Sequence, residues 1–194
     1  MFACFFPNQL YLHLNPNNPA MKILQEYLEK LSDNEQKRYR YELSKLTEAQ
    51  VAQLETLVQR MGRSGAAQPL SWAWSEFREG IPQWARFMIL KAMYGGARDI
   101  EGNVNAAAEF LPETTGIYEM LSAVVGPERL AQFLEGYSKG MLYNLLGTFD
   151  EGNPDYDEQD SWLLVTHDRE TGELGKPISG LYGDFLEFDQ EIAD

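Results

Sequence analysis

The sequence predicts a mainly α-helical protein, about six to seven helices with a small C-terminal β-hairpin, and so α+β at the margin. Three observations carry that prediction. From residue 19 to 146 apolar residues recur at three- and four-residue steps, in stretches opened by caps or prolines and closed by glycines. After residue 147 the texture changes to short apolar runs around a polar turn. Apolar residues make up 44% and aromatic residues 12% of 194, enough for a packed core despite a net charge of -14.

Residues 1–20, MFACFFPNQLYLHLNPNNPA, read as an N-terminal arm or strand, because Leu10, Leu12 and Leu14 alternate with Tyr11 and His13. The segment lacks the basic start of a secretory signal, and Pro7, Asn8 and Gln9 interrupt it. Met21 is an alternative natural start. Asn18 and Pro19 fit the cap and first position of a helix over 19–31, with Ile23, Leu24, Tyr27, Leu28 and Leu31 on one side. Ser32 with Glu35, and Thr47 with Gln50, form capping boxes for helices over 33–45 and from 48 to about Gly62. The second of these carries the stripe Val51, Leu54, Val58 and Met61.

Residues 62–70 read as a linker, and Ser71 as the cap of a short helix bearing Trp72, Trp74 and Phe77. Pro82 opens a strongly apolar helix closed by Gly95-Gly96, the best candidate for the centre of the core. The cluster of Trp72, Trp74, Phe77, Trp84 and Phe87 is expected to pack inside. Two more helices start at Pro112 and Pro127, the first ending at Gly126 and the second running through Leu145. Trp162–Thr166 predicts a strand, DRETGE a hairpin turn with Gly172 at positive φ, and Leu174–Ser179 the partner strand, held to an edge by Pro177. The tail LYGDFLEF predicts an amphipathic turn packing back. The organisation is an arm at 1–20, a helical body at 21–146, and an acidic loop plus hairpin at 147–194 packed on it, one domain overall.

Several chemistries find no support in the residues. A lone cysteine, Cys4, excludes an internal disulfide. The acidic loop fails the EF-hand spacing: counted from Asp155 the sixth residue is Asp160 and the twelfth Thr166. The two histidines, His13 and His167, form no zinc-binding pair. No nucleophile elbow, phosphate loop or dinucleotide fingerprint occurs. The sequence therefore predicts no catalysis, no catalytic residue, no metal and no cofactor. The EQKRYRYE segment interleaves Lys37, Arg38 and Arg40 with Tyr39 and Tyr41, but the overall negative field argues against direct nucleic-acid binding. Those cations are expected to pair with the acidic half or to face solvent. The stretch IPQWARFMILKAMYGG contains Arg86 and Lys91 and is too short to span a bilayer. A soluble, cytoplasmic protein without membrane contact is expected, and nothing specifies its oligomeric state.

Charge is the strongest signal. Residues 1–98 hold 12 Lys and Arg against 9 Asp and Glu, net +3. Residues 99–194 hold 4 against 21, net -17. Carboxylates gathered in this way repel one another unless solvated or met by a cationic partner. The residues expected to bind such a partner are Asp150, Glu151, Asp155, Asp157, Glu158 and Asp160. Asp168, Glu170 and Glu173 on the hairpin join them. Tyr156 and Trp162 are candidate apolar anchors, although the apolar neighbours of Trp162 favour its rooting the hairpin in the core.

The last quarter or so of the chain combines MLYNLLGTFDEGN, an acidic loop, W-L-L-V, D-R-E-T-G-E and LYGDFLEF. In that pattern, and in size and charge, it resembles the small acidic immunity proteins of bacterial polymorphic-toxin and contact-dependent inhibition systems. The resemblance implies a cytoplasmic, non-catalytic protein that neutralises a basic partner, a cognate toxin and often a nuclease. The alternatives are a structural or adaptor protein of a bacterial or phage assembly, which an exposed apolar patch away from the acidic loop would favour, and an enzyme with an unrecognised carboxylate site.

Overall fold

The computed structural model describes residues 21–152 and 162–192. The expected arm or strand at 1–20 and the helix start at Asn18 and Pro19 lie outside the described residues. The described chain is mainly helical with one two-stranded antiparallel sheet near its C-terminus. Its first helices are α1 (Lys22–Leu28), α2 (Asp33–Leu43) and α3 (Glu48–Arg63). Both capping boxes form. The Ser32 N–H donates to Glu35 at 3.1 Å, and the Thr47 N–H to Gln50 at 2.9 Å. Each satisfies a backbone donor that a helix start leaves without an internal partner.

Helix α4 (Pro69–Glu79) begins two residues before the expected Ser71. Gln68 takes the cap position and Pro69 the first turn, where its fixed φ suits the helix and its missing N–H costs nothing. Helix α5 (Gln83–Arg98) does not stop at Gly95-Gly96. Neither glycine adopts positive φ, so the helix continues to Arg98. Asp99 ends it and accepts the Gly102 N–H at 3.0 Å, capping a helix the sequence does not advertise, α6 (Ile100–Ala108). Helix α7 (Thr114–Val125) starts two residues after Pro112. Gly126 at φ 91 turns the chain into α8 (Pro127–Glu151), which runs further than expected.

Strands β1 (Leu164–His167) and β2 (Leu174–Ile178) pair with Leu164 opposite Ile178 and His167 opposite Leu174, the register slipping between Val165 and His167. Pro177 is tolerated because a two-stranded sheet consists of edges only. The tail forms α9 (Leu181–Phe185) and a short 3-10 turn at Phe188–Gln190.

Helix α5 gives Phe87, Leu90 and Tyr94 to one buried core that also holds Leu24 of α1, Leu54 and Met61 of α3, and Ala73 of α4. Fully burying side chains of this kind stabilises by about 1.5–3 kcal/mol each. The tail closes the far side. Phe188 packs on Phe87 at 5.3 Å between ring centroids, Phe185 on Tyr94 at 4.7 Å, and the Tyr94 hydroxyl donates to the Phe185 carbonyl at 2.6 Å. Of the expected aromatic core only Phe87 is wholly buried; Trp72, Trp74, Phe77 and Trp84 pack half-buried around it.

One cation is buried among these elements. Arg86, 8% exposed, donates to Asp184 at 2.6 Å, to the Gly180 carbonyl at 2.9 Å and to Gln83 at 3.0 Å. It thereby ties α5 to the tail. Gly180 has φ 75, and a Cβ there would collide with the Arg86 guanidinium. Burial raises the Asp184 carboxyl above its ordinary range, with Arg86 pulling the other way and the negative Glu191 and Asp150 adding to the rise.

Candidate interaction surface

The acidic segment divides into side chains used internally and side chains left to solvent. Asp150, in the last turn of α8, accepts the Tyr182 N–H at 2.7 Å and so holds α9 against α8. Its other carboxylate oxygen is buried with no hydrogen-bond partner among the described residues. Asp168 accepts the N–H groups of Glu170 and Thr171, each at 2.8 Å, the side-chain turn that Asp forms readily. These two bonds, Thr171 first, hold its carboxyl below the ordinary range. Asp150 and Asp168 therefore build the frame. Glu151, Glu170 and Glu173 are exposed and make no ion pair among the described residues. Asp155, Tyr156, Asp157, Glu158 and Asp160 lie outside the described residues.

Trp162 does not root the hairpin in the core. It is 45% exposed, and its indole N–H donates to the Thr148 carbonyl at 3.1 Å, in the last turn of α8 where carbonyls have no helical partner. Ile178 is the buried hairpin residue, while Leu163 and Leu174 face solvent. The sequence pattern promotes the larger side chain, but Ile178 is the hairpin side chain buried in the core, with Leu164 packed half-buried against it.

Three further carboxylates of the acidic half are matched within the chain. Lys139 bridges Glu135 at 2.9 Å and Asp189 at 3.1 Å, and Arg98 reaches the same two carboxylates. Asp184 belongs to Arg86. Hydrogen bonding from Lys139 lowers the Glu135 carboxyl below its usual range. The cations of EQKRYRYE go elsewhere. Among the described residues Lys37, Arg38 and Arg40 form no ion pair with the acidic half. Tyr39 is buried with its ring edge-on to Trp74 at 5.3 Å, and Tyr41 stays exposed under Lys45. The segment is a solvated helix face rooted by one tyrosine.

The largest feature of the surface is one that charge reasoning missed. Neither α6 nor α7 buries a single residue. On α7, Ile117, Met120, Leu121, Val124 and Val125 recur at three- and four-residue steps and are all exposed, Val124 at 77%. On α8, Leu130 and Leu146 are buried and Leu142 packs on the core, while Phe133, Tyr137, Met141 and Leu145 form a second stripe at steps of four on the solvent side. Phe133 and Tyr137 stack at 6.4 Å, with Phe133 66% exposed. Phe110, between α6 and α7, is 91% exposed. A soluble monomer rarely leaves so many large apolar side chains in water. The available signal was that α8 is apolar on two sides where a surface helix needs one.

Between α5, α6 and α8 lies a hollow of about 490 Å3. Ala92, Met93 and Gly96 of α5 and Met141 and Leu142 of α8 give it an apolar lining, with Asn103 and Ser138 as polar points. Among the described residues no group of three or more His, Cys, Asp or Glu is placed to hold a metal ion, and no helix is long and apolar enough to cross a membrane. No protein-family model, curated protein or solved structure matches this chain.

Proposed function

We propose that this is a non-catalytic, acidic binding protein that neutralises a basic partner, acting as a cytoplasmic immunity protein that sequesters a cognate toxin such as a nuclease domain. The observation that carries the proposal is the uncompensated charge of residues 99–194. Ion pairs within the chain engage Glu135, Asp184 and Asp189, whereas Glu151, Glu170 and Glu173 stand exposed without a cation among the described residues. A partner bearing Lys and Arg supplies those cations, speeds encounter and selects against acidic competitors. The exposed apolar stripes of α7 and α8 complete the anatomy of an interface, an apolar centre beside a charged rim.

Affinity capture from the native host tests this, comparing the wild type with the triple variant Glu151→Gln, Glu170→Gln and Glu173→Gln. Recovery of a basic protein that falls severalfold in the variant, and whose toxicity disappears on co-expression with the wild type, is the expected result. Undiminished recovery by the variant removes these carboxylates from the mechanism.

A second reading is favoured by the apolar stripes themselves. An adaptor of a bacterial or phage assembly would use α7 and α8 and hold its acidity for solubility. It predicts a captured partner that is not toxic and whose recovery responds to Phe133→Ser but not to the glutamate changes.

A further inference from the structure

Resting on that proposal, we infer that the trough between α5, α6 and α8, walled by the outer stripe of α8, receives one amphipathic helix of the partner. That helix presents a large apolar side chain to the hollow and Lys or Arg along its flanks.

The shape comes first. The floor is made of small residues, and a Cβ built on Gly96 meets no atom within 4 Å, so the space above it is open. Met93 and Met141 stand on opposite sides. Methionine walls adapt to different apolar side chains, as grooves that accept helices commonly do. Met141 belongs both to the hollow and to the stripe of Phe133, Tyr137 and Leu145, so a helix anchored in the hollow meets further contacts along α8. Asn103 donates to the Gly96 carbonyl at 2.6 Å and fixes α6 as the remaining wall.

Charge selects the occupant. Residues 99–128 contain Asp99, Glu101, Glu109, Glu113, Glu119 and Glu128 and not one Lys or Arg, and all six carboxylates are exposed. Of the cations of α5 and α8, Arg86, Arg98 and Lys139 are joined to carboxylates and Lys91 to the Ser64 carbonyl, which leaves Arg129 without an ion pair among the described residues. A second copy docked through this same face would set carboxylates against carboxylates. Residues 1–20 carry no Lys or Arg and offer the rim nothing. A helix with basic flanks is the occupant that gains on both counts.

Fluorescence anisotropy with the full chain tests the inference, using two synthetic amphipathic peptides of one pattern, Leu/Lys and Leu/Glu. The Leu/Lys peptide is expected to bind, the Leu/Glu peptide about tenfold or more weaker. Gly96→Leu fills the hollow without changing charge and is expected to weaken Leu/Lys binding by about tenfold. Met141→Ser, at an exposed position, gives the same readout should Gly96→Leu unfold the chain. Equal affinity for the two peptides, or full binding by both hollow variants, overturns the inference. So does a dimer in sedimentation that Phe133→Ser dissociates, or peptide binding that appears only when residues 1–20 are removed. Loss of peptide binding with partner capture intact would concern the trough, whereas failed capture with peptide binding intact would remove the immunity proposal alone.

Discussion

The body of α1–α5 with its C-terminal tail and the layer of α6–α8 use apolar residues in opposite ways. In the body, Leu24, Leu54, Phe87 and Leu90 are wholly buried. In the outer layer, helices with equally regular apolar spacing leave Met120, Val124, Phe133 and Tyr137 in water. The inner side of α8, through Leu142 and Leu146, joins the two. Burial inside one chain and burial against something else start from the same periodic pattern. The difference teaches that the body is held by its own packing, while the outer layer holds apolar surface in reserve.

The largest expected effect is in the body. Phe87→Ala should cost about 3–5 kcal/mol, from lost transfer energy plus the cavity between Trp72 and Phe188, read from denaturant midpoints. A loss below 1 kcal/mol or so would mean that the body is not the tightly packed half. Next comes Arg86→Ala, which strands Asp184 and the Gly180 carbonyl. Because Asp184 is more than a third exposed, the cost is discounted to about 2 kcal/mol, and adding Asp184→Asn should recover part of it. In the outer layer, Val124→Ser and Phe133→Ser should each change stability by no more than about 0.5 kcal/mol in the isolated protein. A loss like that of Phe87→Ala would show this face to be covered already and would erase the contrast.

The smallest effect is local and depends on pH. The Asp168 carboxyl is lowered in the folded chain, so its hold on the turn is present above the unfolded value of about 3.9 and is lost as pH falls through the folded value. Amide resonances of Glu170 and Thr171 should report this in an acid titration, and Asp168→Ala should abolish the response. A titration that leaves both amides unmoved would detach the carboxylate from the turn.

Local punctuation was the most legible part of the chain. Ser32 with Glu35, Thr47 with Gln50, Gly126 before Pro127, and Gly172 in the hairpin turn all act where their chemistry places them, because caps and positive-φ glycines work within a few residues. The double glycine misled, since Gly95 and Gly96 mark a helix end only when one takes positive φ, and neither does. That obscured α6, whose cap Asp99 stands right behind them. Trp162 was misplaced because apolar neighbours indicate a preference for burial but not the room for it. Of the site, the acidity was plain, yet the roles of Asp150 and Asp168 depend on backbone donors that only the fold brings near. The exposed face was hidden for a more basic reason. Periodicity reports that a helix has an apolar side, never what that side will meet.

The tail contact at Phe185 and Phe188 carries a consequence for synthesis. A ribosome that stops before Gly180 releases a chain whose Trp72, Phe87 and Tyr94 surround an unfilled socket, and whose Arg86 has lost Asp184. Such a fragment exposes sticky aromatic surface and an unpaired cation together, the kind of product that cellular proteases remove. The packing of α5 thus depends on residues 180–188, and a chain cut before them is expected to lose resistance to proteolysis.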